Sequence, residues 1–576
     1  MKNKEKREKK ILSFKTKYII AVISFVVFMF LYYYFTLPFI NFTSKTFYFY
    51  LFLLLGFIIC SILVFSSDKL IEKNKSFIFK VISYNAMSGK FYKREVDSKV
   101  YYKKTRLVVI ASIFTLLVYS ILMIFFAIIG TKLFQANRYY KQLEINLGTE
   151  EELMTTFDFE DGEVLLPIID KDLAFKLAQA SLGDYGAQYT IDYDNFTLIT
   201  VNRNGDDQLV RIAPLEYSNF FVSLSRMNKG TIGYIEVNVV TKETRLVEVE
   251  GGMKYMPTGL IGKDLDRHIH FNFPTTLYDG FNFEIDDTGK PYWIIPTHKR
   301  EIGLISGPTP YGVIVIDPVT GEGNEYKLGE EPAWIDRTIS EIIINEQATN
   351  AFRYKNGFAN VHFGEKKEVF QLSDGYNYFL KNGNTYYVST ITSPNENDQT
   401  SIGFVAINLK TKEATKYMVK GITEMRAREI AMNDVRVKAQ LLDATWPILI
   451  NYKGVETYFM VLKNSVQEQK FVLVNVETGE HIAIGDTLLS AEMEYDKLLA
   501  DSGNSFSDLE TVNGRITNIR DLDSKIEFMI EGINDVYFMV EPSVSIDARF
   551  MKIGDLISVK CKKYDSYYYV LEYQKQ

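Results

Sequence analysis

The chain has 576 residues, 47% hydrophobic, 24% charged and 14% aromatic, with a net charge of −7 and a mean hydropathy of −0.06. That length exceeds one compact domain, the aromatic content excludes a disordered chain, and two cysteines exclude a disulfide scaffold. The averages conceal a split: residues 1–131 hold 20 Lys/Arg against 6 Asp/Glu, and residues 132–576 hold 45 against 66, so a part at +14 precedes a part at −21.

No charged residue stands between Lys17 and Lys45, from Thr46 to Ser67, or from Leu107 to Thr131. Each run exceeds the roughly 20 residues that a helix needs to cross about 30 Å of hydrocarbon, and backbone groups there must pair internally, which predicts three membrane-spanning helices. The first run is too long for a signal peptide and lacks a small-residue cleavage site after it. Pro38 is expected to end or kink the first helix. The first 17 residues carry eight basic and two acidic residues and the loop 67–106 carries eleven and four, so the positive-inside rule places both in the cytoplasm and residue 132 onward outside. Tyr32, Tyr33, Tyr34, Tyr101 and Tyr102 suit interfacial anchoring. None of the three spans holds an ionisable residue, which favours an anchor over a transport pathway.

The acidic part repeats itself. Segments starting at Gly233, Gly312, Gly403 and Lys470 align without gaps, placing Asn238, Asp317, Asn408 and Asn475 at one position, Thr241, Thr320, Thr411 and Thr478 three later, and Glu243, Glu322, Glu413 and Glu480 two after that. Alternating apolar residues before each Asx predict a half-buried strand, and the Asx-x-x-Thr-x-Glu stretch predicts a hairpin turn leading to a second strand. Another strand is expected before each copy, at Phe196–Val201, Tyr292–Pro296, Tyr386–Ile391 and Tyr458–Leu462. Helices are expected from Asp170 to Gly183, from Pro332 through Ile342, from Thr423 over Glu424–Arg436, and over Leu488–Leu499. Each unit is therefore a helix with a small antiparallel sheet.

The hairpin Val315–Glu322 (VIDPVTGE) and the helix Asp172–Gly183 (DLAFKLAQASLG) resemble PepSY and related cystatin-like domains, and the arrangement is similar to envelope membrane proteins of Gram-positive bacteria. That resemblance implies binding, inhibition or scaffolding outside the membrane, without catalytic residues. Five strand-like stretches follow, Val512–Ile519, Ile526–Ile530, Val536–Val540, Leu556–Cys561 and Tyr567–Tyr573, in a pattern that resembles an OB-fold barrel. Tyr567, Tyr568 and Tyr569 could stack on bases, but nine basic against ten acidic residues over 511–576 argue against nucleic acid.

Few residues carry chemistry. Asp264, Asp266, His268 and His270 alternate with Leu265, Ile269 and Phe271, so on a strand they share one face, and a His/carboxylate set can ligate a divalent metal. A solvated sheet face gives the same pattern. Asp286-Asp287-x-Gly289 reads as a hairpin turn rather than a calcium loop. Cys60 and Cys561 lack a nucleophile motif, no carboxylate pair is privileged, and no cofactor is expected. Trp334 and Trp446 read as packing.

The expected fold is therefore a membrane-anchored α+β chain: a basic cytoplasmic tail (1–17), three transmembrane helices (18–131), a stalk (132–165), α+β units at 166–260, 261–345, 346–436 and 437–505, and a five-stranded OB-like barrel at 510–576. The expected function is non-enzymatic binding or scaffolding at the envelope, with a surface hydrolase or an accessory subunit as alternatives. Expected partners are the lipid bilayer, anionic headgroups at its cytoplasmic face and other envelope proteins or peptides, and not nucleic acid.

Overall fold

A computed structural model describes residues 14–73, 84–85, 90–91, 101–157, 167–203, 205–373, 375–381, 383–395, 400–464, 469–501, 509–522, 525–533, 536–540, 544–563 and 567–576. Most of the expected basic tail and of the loop 67–106 lies outside these residues. Helix α1 spans Phe14–Thr36, α2 Lys45–Lys73 and α3 Tyr101–Ile129, with a two-residue pairing of β1 (Tyr84–Asn85) and β2 (Lys90–Phe91) between the last two. Among the described residues, two stretches rather than three are long and apolar enough to cross a membrane, Ile19–Thr36 and Ile110–Ile129. Helix α2 is longer than either, but its apolar stretch with described side chains, Lys45–Ile59, falls short of a span. The helices pack together: the rings of Phe25 and Phe57 stack at 3.5 Å, and the Tyr119 hydroxyl donates to Tyr48 O at 2.6 Å.

The expected stalk is itself folded onto the array. Helix α4 (Lys132–Tyr140), strand β3 (Ile145–Leu147) and helix α5 (Glu150–Thr156) follow α3, and α5 is closed by a capping box in which Thr149 and Glu152 serve each other's backbone N–H.

Four units of one plan come next. The first holds α6 (Lys171–Ser181), β4 (Tyr189–Ile191), β5 (Thr197–Arg203), β6 (Asp206–Tyr217), α7 (Phe220–Arg226), β7 (Thr231–Asn238) and β8 (Thr244–Met253). The second holds α8 (Leu265–Asn272), β9 (Leu277–Tyr278), β10 (Asn282–Ile285), β11 (Pro291–Ile302), β12 (Ser306–Ile316) and β13 (Gly323–Lys327). The third holds α9 (Glu341–Arg353), α10 (Gly357–His362), β14 (Gln371–Leu372), β15 (Asn377–Lys381), β16 (Asn384–Thr392), β17 (Thr400–Asn408) and β18 (Ala414–Tyr417). After β19 (Gly421–Ile422), which pairs back onto β17, the fourth holds α11 (Glu424–Asn433), α12 (Val435–Ala439), β20 (Asp443–Ala444), β21 (Ile448–Tyr452), β22 (Val455–Lys463), β23 (Gln469–Asn475), β24 (Ile482–Gly485) and α13 (Leu488–Asp501).

In every unit four strands form an antiparallel meander, and the second strand also takes a short strand at its far end: β4 on β6, β9 on β11, β14 on β16 and β20 on β22. The repeated turn explains the shared residues. Asn238, Asp317 and Asn408 each accept with Oδ1 from the backbone N–H groups two and three residues on, and Asn475 accepts from Thr478 N–H. The Thr hydroxyls accept from Glu243, Glu322, Glu413 and Glu480 N–H. The intervening residue is left-handed in all four, at Lys242, Gly321, Lys412 and Gly479, which is why glycine stands in two of them. The carbonyl after each Asx, at Val239, Pro318, Leu409 or Val476, accepts from the segment that enters the same unit's helix: Ile168 and Ile169, Lys254 and Tyr255, Thr338 and Ile339, and Ile422.

Three expectations change. The Pro332–Ile342 stretch is not one helix: α9 starts only at Glu341, because Asp336 and Arg337 turn inward between units. The helix capped by Thr423, expected in the third unit, ends at Asn433 and packs on β20, β22 and β23 of the fourth. The repeated strands are buried on both faces rather than one. The residues of β5, β6 and β7 point alternately toward α6 (Leu198, Ala213, Ile235) and toward the second unit's Phe283 and Trp293 (Ile199, Ile212, Tyr234). The third and fourth units likewise share a core of Phe379, Phe404, Tyr458 and Phe459.

The last domain is a closed barrel of β25 (Leu509–Leu522), β26 (Lys525–Ile530), β27 (Tyr537–Val540), β28 (Leu556–Lys563) and β29 (Tyr567–Lys575), ordered β25-β26-β27-β29-β28 with β27 and β29 parallel. Its core includes Phe528, Phe538, Val559 and Cys561, and burial pushes the Cys561 thiol up to about 12, leaving it an inert packing group.

Candidate functional site

The Asp264–His270 segment is helical, not extended. Leu265 and Ile269, one turn apart, are buried in the core shared with the first unit, and this pair sets the helical period. Asp264 is the N-cap, accepting from Arg267 N–H at 2.7 Å. The histidines then diverge. His268 Nε2 lies 2.7 Å from Gly321 O with its ring against Tyr255, and burial lowers its pKa. His270 is buried against Phe39, with Nδ1 2.7 Å from the Tyr278 hydroxyl and 3.0 Å from Asp266 O. Tyr278 donates to the Asp266 carboxylate, so His270 keeps its proton on Nδ1, facing two acceptors. Burial, then the Asp266 charge, pushes the Tyr278 phenol far up. The four expected ligands therefore do not converge, and no group of three or more His, Cys, Asp or Glu placed to hold a metal occurs among the described residues.

What these residues do is join the second unit to the N-terminal apolar helices. The Tyr33 hydroxyl donates to His270 O at 3.1 Å, Ile40 N–H to Pro274 O at 2.7 Å and Asn41 Nδ2 to Thr275 O at 2.6 Å. The Arg267 guanidinium sits 4.2 Å over the Tyr34 ring. At the end of α3, Gly130 meets the β11–β12 turn so closely that a Cβ there would stand 2.6 Å from Ser306 Oγ, and Arg138 Nη2 donates to Glu301 O.

A second cluster is invisible in the sequence. Between units, Asp336 Oδ2 accepts from Thr200 N–H, Glu284 Oε2 from Asp336 N–H, and Arg337 Nη2 donates to Leu198 O while its guanidinium lies 4.0 Å over Tyr378. Burial, then the Asp336 charge, raises Glu284; burial raises Asp336 and lowers Arg337. All three are buried, so the cluster locks units together and is closed to a substrate.

The accessible geometry lies at sheet edges. In the third unit the outer edge of β18 is filled by β3 in parallel register, Ala414 to Ile145 through Lys416 to Leu147. In the first unit the equivalent strand, β8, ends its sheet with no further strand paired among the described residues. Its second half bulges at Val249–Gly252 and, with the stacked rings of Tyr189 and Tyr217 (5.5 Å), lines an open groove of about 640 Å³ that also takes in Arg226 and Lys229. A strand that ends its sheet beside an aromatic floor suits an extended peptide.

Compared with known protein families and with curated proteins, the chain matches none.

Proposed function

We propose that this is a membrane-anchored, extracytoplasmic binding and scaffold protein of the bacterial cell envelope, in which three helices carry four PepSY- or cystatin-like units and an OB-like barrel outside the cell. In this reading the N-terminus and the basic loop 67–106 face the cytoplasm and α2 is the second crossing. Support comes from the outward-facing apolar side chains of α1 and α3, such as Val26, Phe30, Phe114 and Ile121, and from the arrangement of the end of α1, the α1–α2 connection and the end of α3 beside the second unit. The barrel's strand order, with its third and fifth strands parallel, supports the OB reading. The likeness to PepSY and cystatin-like domains rests on the helix-then-meander order of each unit.

The observation that carries the binding role is β3 on β18. The chain itself fills one edge of the array with an extended segment, and the matching edge at β8 is open to a partner's segment by the same backbone pairing. Protease added to intact cells is expected to cut the region after residue 132, and the full-length protein extracted in mild detergent is expected to bring down an envelope protein that cross-links to a photoreactive residue at Glu250. Protection of that region in intact cells, with cutting only after lysis, would falsify the orientation.

A further inference from the structure

We infer that α7 and the Leu260–Lys263 loop form a second membrane contact, in which Phe220, Phe221, Leu224 and Ile261 enter the outer lipid layer beside the anchor helices. The inference rests on the membrane-anchored reading above. Helix α7 connects β6 to β7 and buries none of its residues; Phe221 is 79% exposed, and Phe220 and Leu224 flank it. Ile261 is 57% exposed at a loop tip and left-handed at φ 56, a conformation that a β-branched side chain resists. Apolar side chains clustered in water, one on a strained backbone, mark a surface that is covered in use.

Lipid is the occupant because the patch continues the anchor. Ser223 of α7 and Met227, just after it, share a small cleft with Leu260 and Lys263. Arg267 Nη1 donates to Ile261 O at 2.6 Å while the same guanidinium covers Tyr34 at the end of α1, and Phe271, 47% exposed, stands edge-on to Tyr33 at 5.5 Å. The path from the tyrosines of the membrane boundary to α7 is thus a chain of direct neighbours. Charge agrees: residues 219–230 and 254–263 hold four basic residues and no acidic one, within a part of the chain at −21. Apolar tips flanked by Arg226, Lys229, Lys254 and Lys263 match a surface of acyl chains under phosphates.

The test uses the full chain with Cys60→Ser and Cys561→Ala, one new cysteine labelled with nitrobenzoxadiazole, and liposomes of phosphatidylcholine and phosphatidylglycerol carrying doxyl groups at acyl carbon 5 or 12. Label at Ile121→Cys, inside α3, reports the anchor; label at Leu441→Cys, exposed in the fourth unit, reports water. Label at Phe221→Cys is expected to lose at least half its emission to the carbon-5 quencher and less to the carbon-12 quencher, with Leu224→Cys behaving alike as a second variant. If Phe221 and Leu224 labels follow Leu441 while Ile121 is quenched, the inference is overturned and the anchor stands. A blue shift at Phe221 without lipid quenching also overturns it, in favour of a protein contact. An unquenched Ile121 overturns the anchor and this contact together.

Discussion

At the residue scale, the shared turn shows what a sequence displays and what it hides. Asn238, Asp317, Asn408 and Asn475 could be read as turn residues because their job is local, a side chain bonding N–H groups two or three residues on. Lys242 and Lys412, where glycine stands in the other copies, hold the same left-handed backbone because each lysine also reaches a neighbour, Gln469 Oε1 and Gln142 O respectively. Glu284 gave no signal at all, since its role depends on Asp336 arriving from another unit. Its pKa is raised by burial from 4.5 to about 8, so the folded state holds a proton that the unfolded chain releases. The stability due to protonated Glu284 is therefore full below about pH 4.5 and is lost as pH rises through about 8. Glu284→Gln keeps an acceptor for Asp336 N–H and cannot ionise. It is expected to melt higher than the parent at pH 9, by on the order of 3 kcal/mol, with the gap closing near pH 4.5. A gap of equal size at both pH values, in calorimetry of the two full-length proteins, would show that ionisation is not the cause.

At the scale of elements, periodicity carried the helices that stand on one side of a sheet and failed where an element is wrapped by the fold. Asp170 and Thr423 cap helices as read, because a cap needs only its own first turn. Strand β6, the central strand of the first unit, escapes the alternation because Asp206, Asp207 and Pro214 interrupt it, yet it pairs with β4, β5 and β7. The half-buried reading of the repeated strands fails for a related reason: stacking against the next unit buries the second face, a fact recorded only in a neighbour's residues. Strand β3 is the extreme case, three residues whose pairing partner lies some 270 positions on. Gly148 closes that ladder by donating its N–H to Lys416 O at 2.9 Å, and a Cβ there would press into the Tyr417 ring at 2.3 Å. Gly148→Val is expected to cost about 1–3 kcal/mol and to free residues 144–156, read as faster hydrogen exchange there and at Ala414–Tyr417. Unchanged exchange across both segments would mean that β3 is incidental to the third unit.

For the whole molecule, the charge split in the sequence corresponds to a physical seam between apolar helices and acidic array, but how the seam is closed was not legible, because both sides use residues with other obvious readings. His268 and His270 carry a metal-ligand pattern in the sequence, and each instead makes close contacts where the apolar helices meet the array or inside the second unit. The seam has two independent footings on that unit. One is the α1 end, through Tyr33, Tyr34, Ile40 and Asn41; the other is the α3 end, through Gly130, Arg138 and the Tyr139 hydroxyl, which donates to Gly130 O at 2.8 Å. Two footings fix the orientation of the second unit on the helices, and in the membrane-anchored arrangement proposed above that orientation would keep α7 at the lipid surface. Gly130→Leu places a branched side chain where a Cβ would already stand 2.6 Å from Ser306 Oγ, so the α3 footing has to open. The first footing and the cores of the four units are untouched by that change. The expected outcome in the full-length protein is faster hydrogen exchange at residues 300–309 and 130–140, unchanged exchange at Ile40 and Pro274, and a melting temperature of the array shifted by no more than about 1 kcal/mol equivalent, since the loss is confined to a surface join. If exchange at 300–309 stays at the parental rate, the Gly130 contact is not a footing on the second unit.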